Sequence, residues 1–162
     1  MTKLRKLTAL LLAGALTLLF LTACSGGGGS SGPEAQAEAE VMRAIRSNPS
    51  TASLKYDDGM CNIAKETLAR ANLDADLKGS IGGYKFYNDV KYDKETSTLT
   101  LIAQYDYKDT TLEELIGYIT KNNVASNLKF NLSSNRAKVG VAAKIYKGKT
   151  HIAITLQAVK KT

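Results

Sequence analysis

With 23% charged and 44% apolar side chains in 162 residues, the chain has the composition of a globular protein, not a disordered one. Its formal charge of +7 overstates the folded body. Lys3, Arg5 and Lys6 lie in the first 23 residues with no acid among them, leaving 19 basic against 15 acidic residues, a +4 too mild for a nucleic-acid surface.

The first segment carries an address. Lys3, Arg5 and Lys6 precede an apolar run from Leu7 to Leu21 that only Gly and Thr interrupt. Basic residues stay on the cytoplasmic side while the apolar stretch enters the bilayer, so residues 1–23 read as an export signal. A permanent span is the alternative, but the run is at the short edge of what crosses a ~30 Å hydrocarbon core. It ends in Leu21-Thr22-Ala23-Cys24, which resembles the lipobox of bacterial lipoproteins. That resemblance implies cleavage before Cys24 and a diacylglyceryl thioether on its sulfur. Two or three acyl chains, palmitate among them, at ~0.8 kcal/mol per buried methylene, make a stable anchor where one would not. The expected location is the cell membrane, lipid-anchored and facing the extracytoplasmic side.

Residues 24–33 form the lipidated Cys and its tether. Ser25 to Pro33 reads SGGGGSSGP, a flexible stretch with a root-mean-square reach of roughly 15–18 Å. With Cys24 consumed by lipid, Cys61 is left alone and an intramolecular disulfide is not expected. Cys61 lies in an apolar helical stripe with no His near it in sequence, as a small core residue does.

The folded body starts at about residue 34. A first helix is expected from Glu34 to Arg46, with Val41, Met42 and Ile45 on one face, and Asn48-Pro49-Ser50 stops it. A second begins after Asp57 or Asp58, either a good N-cap. Met60, Ile63, Ala64, Thr67, Leu68 and Ala71 give it a helical apolar series. A loop with Gly79, Gly82 and Gly83 follows, then strands over Tyr84–Tyr92 and Thr98–Tyr107. In the second strand Leu99, Leu101, Ala103 and Tyr105 share the more apolar face. A third helix opens on Thr110-Thr111-Leu112-Glu113, where Thr110 and Glu113 have capping-box spacing. Its inner face holds Leu112, Leu115, Ile116 and Ile119.

The last segment reads as a hairpin with Gly148-Lys149 at its tip. That register pairs Ile145 with Ile152, Ala143 with Ile154, Val141 with Leu156 and Val139 with Ala158, all on one face. Gly140, Ala142, Ala153 and Thr155 occupy the other face, small enough for a second layer to approach closely. The fold class is therefore α+β, a three-layer α/β/α sandwich with a mainly antiparallel sheet.

Three local patterns carry a family resemblance. They are L-x-Y-D-x-x-M-x-x-x-A from Leu54, T-x-E-E-L-x-x-Y-I from Thr111, and V-G-V-A from Val139, thirteen residues beyond Asn127 as that spacing is counted from Asn127 to Gly140. Over about Val41 to Val159 the chain resembles the CAP superfamily, the SCP/PR-1-like domain of bacterial exported proteins, which makes residues 34–162 a single CAP-like domain. The family's cleft holds two His and acidic partners and sometimes a divalent metal. Carried over position by position, the first His falls on Thr67, the second on Asn127, and the acid on Gln104. The resemblance therefore implies a degenerate cleft of Thr67, Gln104 and Asn127 with no metal and no cofactor, since a zinc site needs about four Cys, His or carboxylate ligands.

Enzyme readings are weak on independent grounds. The only histidine, His151, falls beside the hairpin turn on the face opposite the apolar ladder, across from Tyr146, and reads as a solvated or packed surface residue. Without it no Ser–His or Cys–His nucleophile pair can form. Asp57/Asp58 and Glu113/Glu114 suit helix N-termini, and Asp74/Asp76 suit a loop. No catalytic residue is assigned. Aromatics interleaved with Lys over Tyr84–Tyr92 offer Tyr84, Phe86, Tyr87 and Tyr92 as surface contacts for sugars or peptides, although such residues also simply favour strands.

The expectation is thus a membrane-anchored extracytoplasmic lipoprotein with a non-enzymatic domain that binds an envelope or extracellular ligand or protein. Two alternatives stay open. One is an envelope hydrolase working through carboxylates such as Asp106 or Glu113; the other is a structural or assembly lipoprotein with an exposed apolar patch.

Overall fold

The computed structural model describes residues 32–81, 84–105, 113–117 and 135–159, with backbone alone at 79–81 and 84–86. The signal, Cys24 and nearly all of the tether lie outside the described residues.

Helix α1 (Pro33–Ser47) has proline in its first turn, where a missing N–H costs nothing. It buries Ala37, Val41, Met42 and Ile45 as one stripe and ends where Asn48 turns extended before Pro49. The Thr51 hydroxyl donates back to the Ile45 carbonyl at 2.7 Å. A two-residue strand, β1 (Lys55–Tyr56), leads into α2 (Asp58–Arg70). Asp57 is the N-cap, its side chain accepting from the Met60 N–H at 3.1 Å. The same carboxylate holds Lys138 Nζ at 2.8 Å, which ties the helix start to the sheet.

The chain continues as β2 (Gly79–Ile81), β3 (Tyr84–Tyr92) and β4 (Thr96–Tyr105), is helical again at 113–117, and closes with β5 (Lys138–Tyr146) and β6 (Lys149–Val159). The six strands form one sheet in the order β1-β5-β6-β4-β3-β2. Only β1 and β5 run parallel; the other pairs are antiparallel. The fold is mixed α/β, compatible with an α+β class.

Three details differ from expectation. Gly79 belongs to a short strand, because pairing with Phe86 recruits the loop to the sheet edge. Strand β4 begins at Thr96, since the Asp93 N–H already donates to the Thr96 carbonyl at 2.9 Å. The closing turn is Lys147-Gly148, one residue earlier than expected. Both residues have positive φ, 51° and 71°, the two-residue geometry in which glycine takes the second central position. Ile145 therefore faces Thr150, Ala143 faces Ile152 and Val141 faces Ile154. The partner slips by two residues, and a slip of two preserves the face.

The faces bury different elements. Val139, Val141, Ile152, Ile154, Leu156 and Ala158 form one core with α1, with Leu101, Ala103 and Tyr105, and with Leu115 and Ile116 of the 113–117 helical turn. On the opposite face Ile102, Ala142 and Ala153 pack against Ala64 and Leu68 of α2 and against Leu73 and Leu77 after it.

Candidate binding face

The α2 side of the sheet is where the chain concentrates its unusual residues. Gly140 lets the helix in: a Cβ there would overlap the backbone of Met60 and Cys61. Ala142 and Ala153 continue the low floor under Ala64 and Leu68. Beyond this apolar patch the face turns polar. Register aligns Asp89, Thr100, Thr155 and Gly140 in one row and Lys91, Thr98, Gln157 and Lys138 in the next. Thr100 and Thr155 are buried, and their hydroxyls meet at 2.9 Å. Gln157 Nε2 donates to the Thr98 hydroxyl at 3.3 Å. The half-buried Thr98 and Gln157 can exchange hydrogen bonds with a neutral polar ligand, while the Thr100–Thr155 pair is satisfied inside; Asp89 and Lys91 at the β3 margin supply one charge of each sign.

Sequence reading found little of this row. It placed Thr98 and Thr100 on the less apolar face of β4 and Thr155 on the small-residue face of β6. Only the pairing of β4 with β6 makes them one surface.

The expected cleft residues divide. Thr67 is buried on α2, and its hydroxyl donates to the Ile63 carbonyl at 2.7 Å, so its proton is committed within its own helix. Gln104 is half-buried beside His151 on β6. Strand alternation sets it on the side of Ile102, the side α2 covers. Asn127 and Asp106 lie outside the described residues. Of the aromatic stretch, two side chains are described. Register sets Tyr87 opposite Ile102 of the α2-side core. Tyr87 packs partly into the α2-side core and Tyr92 is 63% exposed at the β3–β4 turn. The side chains of Tyr84 and Phe86 lie outside the described residues.

Cys61 is buried as expected, at 2% exposure, but it is disulfide-bonded. That corrects the expectation of an unbridged thiol. Of the carboxylate pairs, Asp57 is the cap, and the Lys138 hydrogen bond holds its carboxyl below the usual range. Asp76 accepts from the Asn72 N–H at 2.8 Å. Glu113 and Glu114 are exposed on the turn whose Leu115 and Ile116 join the α1 side, across the sheet from α2.

A second polar cluster surrounds the β5–β6 turn. Asp74 accepts from the Tyr146 hydroxyl at 2.8 Å and from Lys147 Nζ at 2.7 Å. The Lys147 bond, then the Tyr146 bond, lowers the Asp74 carboxyl below its ordinary value. Lys147 Nζ also stands 5.2 Å from the Tyr146 ring centroid. His151 corrects another expectation, for it is 4% exposed, edge-on to Tyr146 at 6.1 Å and opposite Lys144. Burial lowers its pKa; the bond to the Lys149 carbonyl and the Asp74 charge oppose that shift, and the Lys149 and Lys144 charges add to it.

Among the described residues no group of three His, Cys, Asp or Glu side chains could hold a metal ion, and no helix is long and apolar enough to cross a membrane. Compared with protein-family models, curated proteins and solved structures, the chain matches none of them.

Proposed function

We propose that the chain is a membrane-anchored extracytoplasmic lipoprotein, held by lipid on Cys24, whose CAP-like three-layer domain binds a neutral polar ligand or partner without catalysing a reaction. The observation that carries the binding reading is the half-buried pair Thr98 and Gln157 on the α2 side, linked at 3.3 Å next to the buried Thr100–Thr155 pair. Hydroxyls and carboxamides donate and accept, which suits sugar hydroxyls and peptide amides of envelope material. In place of the ligands found in the CAP cleft, Thr67 and Gln104 bring neutral groups to the same side of the sheet.

The anchor reading is supported by the order of basic residues, apolar run, lipobox and tether in the first 33 residues. The chain has two cysteines, so an intrachain bridge to Cys61 and a lipid on Cys24 compete for one sulfur. The bridged Cys61 of the structure belongs to the unlipidated form; the proposal commits the Cys24 sulfur to lipid in the membrane, which leaves Cys61 a buried thiol in the anchored protein.

Two experiments test the halves separately. Fractionation of cells producing the full chain should leave it with membranes, and Cys24→Ala should release it from them or leave it unprocessed. For the domain, soluble muropeptides titrated into isotope-labelled protein should shift the amides of Thr98 and Gln157 most. Cleavage of the muropeptides would favour the hydrolase reading, and shifts confined to other surfaces would end the assignment of this face.

A further inference from the structure

The end of the domain that meets the tether also carries the β5–β6 turn. The Ile145 N–H donates to Glu34 Oε1 at 2.8 Å, and Glu34 is the second residue of α1, directly after the Pro33 that closes the tether. One helical turn on, the Ala143 N–H donates to Glu38 Oε1 at 3.0 Å. Four helical residues rise ~6 Å and two strand residues ~6.6 Å, so these bonds set α1 antiparallel to β5 with its N-terminus beside the turn. A tether of roughly 15–18 Å reach therefore keeps the turn on the anchored side of the domain and the Tyr92 end of the sheet away from it.

The composition of this tip is unusual. Within six residues it carries Lys144, Lys147 and Lys149, the latter two exposed. Ile145, 41% exposed, and Tyr92 are the only exposed large apolar side chains among the described residues. Lys147 sits at φ 51°, a left-handed position that is costly for lysine and suits Asn or Gly. A cation therefore occupies a place where turn geometry favours another residue, and such outliers concentrate at functional sites. Two acids stand nearby. Glu34 accepts from the Ile145 N–H, and Asp74 accepts from Lys147 and Tyr146. An ammonium has three donors, and the Lys147 side chain is 65% exposed.

We infer that the β5–β6 tip, with Lys144, Lys147 and Lys149 around Ile145, rests on the anionic phosphate headgroups of the membrane to which Cys24 is anchored. The inference rests on the lipoprotein reading and adds an orientation to it: the hairpin faces the lipid. The lysines supply attraction to phosphate, Ile145 supplies a shallow apolar contact, and the half-buried Thr98 and Gln157 lie toward the opposite end of the sheet.

The test uses the full lipidated chain in vesicles of phosphatidylcholine alone or mixed with phosphatidylglycerol. Acetylation rates of Lys144, Lys147 and Lys149 and hydrogen exchange across 144–149 are read in both. The tip should be protected in the anionic vesicles, exposed in the neutral ones, and released as salt screens the charge. Each lysine near an anionic surface is worth about a fivefold change in binding. Lys147→Asn, which suits the turn, should keep the thermal transition and lose about fivefold of the protection; Lys149→Gln is the second variant, should the first lower stability. A lipidated chain with equal labelling in both vesicles overturns the orientation and leaves the lipoprotein reading standing. Protection equal in both but above that in detergent assigns the contact to Ile145 and overturns the headgroup assignment. A chain that carries no acyl mass overturns both.

Discussion

Gly140 is the point where α2 reaches the sheet, so Gly140→Ala should cost about 2–3 kcal/mol, the upper range for overpacking against backbone, read by chemical denaturation. The buried Thr100–Thr155 pair makes a different prediction. Thr100→Val leaves the Thr155 hydroxyl without its partner and should cost about 1–3 kcal/mol, whereas the double Thr100→Val, Thr155→Val variant should recover most of it. Strictly additive losses would contradict the pair. His151 contributes through pH. Its pKa is lowered chiefly by burial, so as pH falls the unfolded chain takes the proton first, near 6.5. Stability should therefore be full above about pH 6.5 and decline below it until the folded imidazole also protonates. The groups facing it are Lys144, Lys149, Tyr146 and Asp74. Denaturation curves across that interval should lose this slope in His151→Gln.

At the scale of elements, α1 guards a sheet edge. Strand β1 covers β5 only at Lys138 and Val139, and beyond that Glu38 and Glu34 take the outward N–H groups of Ala143 and Ile145. An uncovered edge invites a foreign strand. Burial raises the Glu38 pKa against the pull of the Ala143 N–H, so the charge itself is not the stabilising feature; the acceptor is. Glu38→Ala should cost about 1–3 kcal/mol and speed exchange of the Ala143 amide, while Glu38→Gln keeps an acceptor oxygen and should cost little. The helices and the faces of the last hairpin were legible in the sequence, because periodicities of 3.6 and 2 are local signals. The turn residue, the strand at Gly79–Ile81 and the two Glu–backbone bonds were not. Each depends on a partner far along the chain, as when residue 38 meets residue 143, and local pattern is silent about such pairs. The candidate site shows the same division: Thr98 and Thr100 were visible as a polar edge of one strand, yet their alignment with Thr155 and Gln157 appeared only with the β4–β6 register.

For the whole molecule, orientation follows from what holds the Cys24 sulfur. If lipid holds Cys24, the domain is oriented by the Glu34–Ile145 contact and its binding face lies beside the membrane, not against it. If that sulfur instead bridges Cys61, the first 23 residues remain attached and the orientation has no basis. The deciding measurement is the mass of the Cys24-containing peptide, recovered from the membrane fraction with thiols blocked before digestion. The account predicts a peptide that begins at Cys24 and carries diacylglyceryl. An unprocessed leader, or a Cys24 peptide joined to the Cys61 peptide and separated by reductant, would contradict it.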